Sequence, residues 1–550
     1  MKRLIIAAAL GNDVHVAGIM NFLKLAEEQG YDTMFMGPAV APERIIEAAI
    51  EHSPYMVGIS YRLTPSALKP LLDKIDSGIE RYRLKDIKWV FGGTEPTADV
   101  ARQYRIFEKI FDGSGDMDDT IMYLKGIEDN REKNEIYPQS LIGRIESKYP
   151  FPVIRHHFGL PDLGATIEGV RKIAESKVVD VISIAPDQNA QEHFFEPEKM
   201  DHDLDGAGGA PLRTAEDFKA LYENSRTGNY PLLRCYSGTN NVFEMAKMLL
   251  DTIHNAWAAI PLCWYNRLDG RGPRDLVTSI AENQQLMRWH GERGVPVEVN
   301  EAHHWGLRDA HDAIYVAASY LAAYNAKKMG VRHYVAQYMF NLPPNESPRM
   351  DIAKMLAAIE LVESLHDDDF ITYRQARAGL ASFPTDLYMA KGQLAASCYT
   401  AMAIKPHIYH VVGFCEAHHA ATPEDVIESA KLVRGVVKNH MQGAPDVTAD
   451  GEIMRRKDEL VADALAIIDA VKAVGQGSKD PLADPIVIAR AIKMGILDAP
   501  HLKGNSMANG TLATRLINGA LYAYDEKDGR VLAERERLDR ILNSTERVPA

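Results

Sequence analysis

One histidine in this chain has the surroundings of a metal ligand. His15 stands two residues after Asp13 and three before Gly18, in the run Gly11-Asn12-Asp13-Val14-His15-Val16-Ala17-Gly18. A neutral imidazole is a good donor to a transition metal when an acceptor fixes its other nitrogen, and Asp13 can take that N–H and raise the ring's basicity. Forty-one residues separate Gly18 from Ser60, and Gly92-Gly93 follows further on. A second group of donors comes later: the pairs His303-His304 and His418-His419, with Cys235, Cys263 and Cys415. Mixed Cys and His ligands suit zinc, which activates thiols or leaving groups in group transfer. Adjacent histidines usually point to opposite sides, so each pair offers one ligand.

The elements that must position these residues follow a strand–helix rhythm. Strands are expected at Leu4–Leu10, Thr33–Met36, Met56–Ser60, Trp89–Phe91 and Lys109–Phe111, with helices at Ala17–Gln29, Pro42–Glu51 and Pro65–Ile79. That pattern over residues 1–127 predicts an α/β, doubly wound parallel sheet of flavodoxin-like type, whose ligands sit at the carboxyl ends of the strands. Residues 128–150 are charged and irregular and read as a linker. Residues 151–443 carry a second series, with strands expected at Val178–Ile184, Leu232–Tyr236, Pro261–Tyr265, Val295–Asn300, His333–Met339, Phe370–Tyr373 and His407–Phe414. Such a series predicts a TIM-type (β/α)8 barrel with its chemistry at the strand C-termini. Residues 444–550 open with a helix, Glu452–Val474, and continue as a mixed C-terminal extension.

Composition narrows the class. The 550 residues are 46% hydrophobic and 25% charged, with a net charge of -14. An acidic chain argues against nucleic acid or an anionic membrane as partner. The four cysteines form no CxxC pair and no disulfide framework, as expected of a cytoplasmic protein. The start, Met1-Lys2-Arg3 and then Leu4 to Leu10, superficially matches a secretory signal, but its apolar run is short and no cleavage site follows. A buried parallel strand is the expected reading. A homodimer is the expected assembly.

The first motif resembles the DxHxxG…S…GG pattern of cobalamin-binding modules across the whole N-terminal domain. The resemblance implies that His15 is the lower axial ligand to cobalt. Asp13 would then orient His15; Gly18, Gly92 and Gly93 would leave a slot for the cofactor's displaced tail, the Ser60 hydroxyl would bond the tail's free nitrogen, and Gly113-Ser114-Gly115 would approach its ribose or phosphate. Modules serving methyl transfer usually carry a helical cap ahead of this strand; here the strand begins at residue 4, which points to a mutase using adenosylcobalamin.

The barrel resembles the epsilon subunit of glutamate mutase (methylaspartate mutase), piece by piece and in order. Leu233-Arg234-Cys235-Tyr236-Ser237-Gly238-Thr239 is similar to that family's substrate-arginine strand. Trp264-Tyr265-Asn266 and the run from Gly294 to Glu301, with Trp305-Gly306, follow its next segments. Phe414-Cys415-Glu416-Ala417 with Thr422-Pro423-Glu424, and Ala491 to Pro500, resemble its last two. The resemblance implies that Arg234 holds a substrate carboxylate, that Glu301 binds a substrate ammonium or relays protons, and that Glu416 contacts the adenosyl ribose. The departures are specific: the segment supplying one family arginine is missing between Arg234 and Tyr265, leaving Arg267, Arg271 or Arg274 to substitute. Val412 stands where the family has a lysine. A carbon-skeleton mutase acting on a small carboxylate or amino acid is the expected function, and a corrinoid methyltransferase with a barrel metal site is the alternative.

Overall fold

Leu4–Leu10 is strand β1, and every residue after Leu4 is buried. It lies inside a parallel sheet with β2 (Asp32–Val40), β3 (Met56–Tyr61), β4 (Lys88–Gly93) and β5 (Phe107–Phe111), in the order β2-β1-β3-β4-β5. Both faces of β1 are apolar because both are covered, as parallel sheets require. Ile5 and Ala7 pack with Ile19, Leu23 and Leu124. Ala8 and Leu10 pack with Ile45, Leu68, Leu72 and Ile75 on the other side. The strand order reverses at β1, so the crevice for a ligand opens past the carboxyl ends of β1 and β3.

The computed structural model describes residues 3–113, 117–126, 137–236, 238 and 240–545. They fall into two units, Met1–Ile136 and Tyr137–Ala550. Among the described residues no helix is long and apolar enough to cross a membrane.

The second unit is built on eight parallel strands: β6 (Val153–Phe158), β7 (Val181–Ile184), β8 (Leu232–Arg234), β9 (Ala258–Pro261), β10 (Val297–Asn300), β11 (His333–Phe340), β12 (Ile371–Ala378) and β13 (Ile408–Val411). They pair in the order β8-β7-β6-β13-β12-β11-β10-β9, a barrel closed everywhere except between β8 and β9. That seam is stitched by one side chain. The Asn255 Oδ1 accepts from the Cys235 N–H (2.9 Å), its Nδ2 donates to the Cys235 carbonyl (3.2 Å), and the Ala256 N–H reaches the Leu233 carbonyl (2.9 Å). The amide thus takes the place of a ladder rung. Several barrel helices begin on side-chain caps, such as Asp275 accepting from Thr278 N and Ser347 from Met350 N.

Three expectations need correction. The barrel opens with Val153–Phe158, a strand absent from the expected series of seven. The fourth barrel strand is Ala258–Pro261 rather than Pro261–Tyr265; Trp264 and Tyr265 belong to the loop that follows. Part of the expected linker is helical: Leu141–Lys148 is a helix capped by Ser140. Its Leu141 and Ile145 pack against Val153, Val181, Leu232, Val335 and Ile408, apolar residues at or near the start of five of the strands. The helix is therefore the plug of the barrel's N-terminal end. Lys148 fastens it to Asp180 (2.8 Å), and the Arg144 guanidinium donates to the Asn229 and Tyr230 carbonyls. The extension is part of the second unit. Its helix Gly451–Val474 packs on helices Asp312–Lys328 and Pro348–Glu363, and a three-stranded antiparallel sheet follows, β14 (Thr514–Ile517), β15 (Ala520–Asp525) and β16 (Arg530–Val531).

Candidate functional site

Strand alternation sends every second residue into the barrel. Above the apolar floor the next inward layer is polar: Arg155, Ser183, Arg234, Glu298, Gln337, Gln375 and His410. The Arg155 guanidinium donates to Ser183 Oγ (2.7 Å), Gln375 Oε1 (2.7 Å) and His157 Nε2 (2.8 Å), and reaches Glu298 at 3.5 Å. Arg234 meets the same Glu298 oxygen at 3.4 Å. The Trp257 indole N–H donates to that oxygen (2.7 Å), and both guanidinium groups lie over the Trp257 ring. One carboxylate therefore serves two arginines. Arg377, on β12, carries a further charge facing Glu298 and, across the mouth, Glu416.

Burial alone would raise Glu298, but Arg234, Arg155 and the Trp257 N–H bring it below the ordinary carboxylate value. Burial, reinforced by the arginines, holds His157 and His410 well below the ordinary histidine value, so both are neutral; their rings stack at 4.7 Å. The layer carries an excess of positive charge in a buried interior. The Nε of Arg234 is buried with no hydrogen-bond partner among the described residues. A buried donor left unpaired is costly; an incoming anion would satisfy it.

The loop after β9 forms one wall of the mouth. Tyr265 adopts a left-handed backbone, φ 64°, which a bulky residue rarely takes. Asp269 holds it there by accepting from the Tyr265 and Asn266 N–H groups. Arg271 lies over the Tyr265 ring, whereas Arg274 is tied to Glu282. His303 Nδ1 meets Gln337 at 3.0 Å, and neither ring nitrogen of buried His304 has a partner among the described residues.

Of the three barrel residues picked from sequence, Arg234 lies inside this layer and Glu416 on the exposed loop after β13. Glu301 is placed differently. Its Oε2 accepts from the Leu262 and Cys263 N–H groups and its Oε1 from the Trp305 indole. Those bonds tie the loop after β9 to the loop after β10. The carboxylate that meets the arginines is Glu298, three residues earlier. Arg155, Glu298, Gln375 and Arg377 were not singled out from sequence. The signal was there: each is a charged or amide residue on the inward parity of its strand.

At the carboxyl end of β1, Asp13 is fully buried and accepts three times. His15 N donates to Oδ1 (2.8 Å), the His15 ring meets the same oxygen through Nδ1 (2.7 Å), and Arg62 N, just past β3, donates to Oδ2 (2.5 Å). With Nδ1 committed to a carboxylate, the lone pair of His15 sits on Nε2, and the ring is half exposed. Val14, next to it in sequence, and Leu63, next to Arg62, leave apolar side chains exposed. Ser60 Oγ is buried with no partner among the described residues. A Cβ on Gly92 or Gly18 would meet nothing within 4 Å, so open space adjoins both.

Residues 3–119 match the B12 binding domain. The first unit is a cobalamin-binding domain. No curated protein matches the chain. Among solved structures, a cobalamin-binding protein from Desulfitobacterium hafniense DCB-2 matches at 22% identity, covering 20% of this chain and 52% of that one, with a TM-score of 0.18. The cobalamin-dependent S-adenosylmethionine radical enzyme OxsB with aqua-cobalamin matches at 11% identity, over 68% of this chain and 53% of that one, with a TM-score of 0.19. The chain thus spans about half the length of each. At these TM-scores neither likeness bears on fold or activity.

The residues at β1 and β3 fit cobalamin. The unpartnered Ser60 hydroxyl, the open space at Gly92 and Gly18 and the Asp13-oriented His15 are what a tail slot with a protein axial ligand requires. Gly113, at φ +84°, also borders open space. Gly93 serves a different purpose from the slot: a Cβ there would stand 2.4 Å from Thr97 Oγ1 and 2.8 Å from the Tyr61 carbonyl, so its absence lets helix Glu95–Ala101 pack on β4. Ser114 and Gly115 lie outside the described residues.

Proposed function

We propose that this protein is an adenosylcobalamin-dependent isomerase that rearranges a small carboxylate or amino acid inside its barrel. The observation that carries the reading is the arginine layer: Arg155 and Arg234 share one carboxylate, Glu298, and Arg234 Nε is left without a partner. A bidentate carboxylate on Arg234 would complete that donor set. Cobalamin would be held by His15 through Nε2, with Asp13 fixing the ring and Ser60, Gly18, Gly92 and Gly113 bordering its tail; in the adenosyl form it supplies a carbon-centred radical.

The remaining work falls to the barrel's own residues. Arg155 and Arg234 bind and orient the substrate anion, and Trp257 holds both guanidinium planes. Neutral His157 and His410 wall the layer without adding charge. The plug at Leu141 and Ile145 closes the floor to water, which protects a reactive intermediate. Residues that surrender no proton suit a rearrangement that needs positioning more than acid–base catalysis.

The test is to mix adenosylcobalamin-loaded protein with candidate small carboxylates and record electron paramagnetic resonance. A paramagnetic cobalt signal that appears with one substrate, together with an isomeric product, supports the reading. Methyl transfer from methylcobalamin to an added thiol, with no such signal, would replace it by the corrinoid methyltransferase alternative.

A further inference from the structure

We propose that the outer wall of the barrel holds a zinc ion between β6, β13 and the helix Pro423–Met441, through Cys415, His419, Asp425 and His156. Cys415 and His419 lie on the loop leaving β13, and Asp425 lies in the first turn of the helix. One donor atom from each of these three stands within 4.8 Å of the other two. His156 is the fourth. It follows Arg155 on β6, so alternation turns it away from the arginine layer, and it pairs in register with Val411 of β13. Cys415 Sγ and His156 Nε2 each lie 3.3 Å from the point where a Cβ on Gly413 would stand, so both border one space; His156 stands outside the 4.8 Å group and closes on it as the ion binds.

The state of His156 carries the assignment. Its Nδ1 lies 2.5 Å from the His157 carbonyl. A carbonyl can only accept, so Nδ1 bears the proton and Nε2 bears the lone pair. That lone pair is buried, on a residue 4% exposed, with no partner among the described residues. An imidazole with one nitrogen donating to a backbone carbonyl and the other free is the arrangement of a metal-ligating histidine. Asp425 Oδ2 is positioned by the Thr422 N–H and hydroxyl and meets His419 Nε2 at 3.0 Å. Zinc would release the Cys415 thiol proton to solvent, and the His419 proton would move from Nε2 to Nδ1, which faces His418 Nδ1.

Thiolate, two imidazoles and a carboxylate form a closed tetrahedral set suited to zinc. No position remains for a thiol substrate. The ion is therefore structural, and it fixes the loop on which Glu416 rides between Cys415 and His419. This inference stands apart from the proposed reaction.

Full-length protein from zinc-supplemented medium, cobalamin-loaded, is freed of loose metal by gel filtration through a chelator and analysed for metal content and by zinc-edge X-ray absorption. One zinc per chain is expected, with one sulfur at about 2.3 Å and nitrogen or oxygen neighbours at about 2.0 Å. His419→Gln, at an exposed side chain, and His156→Gln are each expected to bind zinc at least tenfold more weakly, with the loss of one nitrogen neighbour. Metal-free wild-type protein that also takes up no added zinc chloride overturns the site. Zinc retained unchanged by His156→Gln overturns the four-ligand assignment, and a sulfur neighbour added by a thiol substrate overturns the structural role.

Discussion

His15 draws its chemistry from a single neighbour two residues away, and that is why it was legible. Asp13 takes the His15 ring N–H and also bridges to Arg62 N, so one carboxylate sets both the ligand's tautomer and the spacing of the β1 and β3 loops. Asp13→Asn should therefore weaken cobalamin binding about 10- to 100-fold, the usual cost of losing a group that orients a ligand, measured by absorbance titration. Histidine labelled with nitrogen-15 should alter the splitting of the cobalt(II) signal; splitting from the cofactor's own base would remove His15 from the role. Arg234→Lys should keep cobalamin binding and lose turnover about 30- to 150-fold, from about 2–3 kcal/mol of charged hydrogen bonding. Unchanged kinetics would mean that the substrate binds elsewhere. The rest of the layer was harder to read. Arg155 meets Glu298 143 residues away and Gln375 220 residues away, and only the closed barrel joins them. Glu301 was singled out through the resemblance to glutamate mutase, yet its oxygens serve two backbone N–H groups and the Trp305 indole.

Elements were readable where apolar periodicity was strong and lost where it was short. Leu4–Leu10 was found whole because its apolar run is uninterrupted. The fourth barrel strand was placed too late because Leu262, Cys263 and Trp264 extend the apolar run into a buried loop. The plug helix was missed because only Leu141 and Ile145, one turn apart, mark its apolar side amid charges, and what they bury against is the floor of a barrel that no local window contains. Leu141→Ala should cost about 2–4 kcal/mol, the range for a leucine in a closed core, read from urea unfolding. A loss near zero would mean that the floor seals without it. Asn255→Ala should cost about 1–3 kcal/mol, because the Cys235 N–H and carbonyl would be left unpaired in the interior.

Across the whole molecule, many histidines are buried and neutral. His290 is held at about 4, by burial and then by Arg293, and His303 at about 3, by burial and then by Arg377. Both lie below the ordinary 6.5 of an unfolded histidine. Between those values the unfolded chain binds the proton and the folded chain does not, so stability is complete above pH 6.5 and falls as pH drops toward 4. Each unit of depression corresponds to about 1.4 kcal/mol, so the urea midpoint of the full chain should fall by several tenths of a molar or more between pH 7 and pH 5. His290→Phe should make that fall shallower. A midpoint independent of pH across this window would show that these rings are hydrated in solution.

The unpaired seam between β8 and β9 has a consequence for how the barrel opens. Seven of its eight junctions are backbone ladders, and the eighth depends on one amide side chain and a single main-chain contact. Fluctuations should therefore concentrate along that line, which ends at Arg234 on one side and leads into the Tyr265 loop on the other. Amide hydrogen exchange should find the backbone flanking Asn255 less protected than β11 and β12, which pair along eight residues. An anion seated on Arg234 would slow that exchange, so the weakest line of the barrel would also report when its interior is filled.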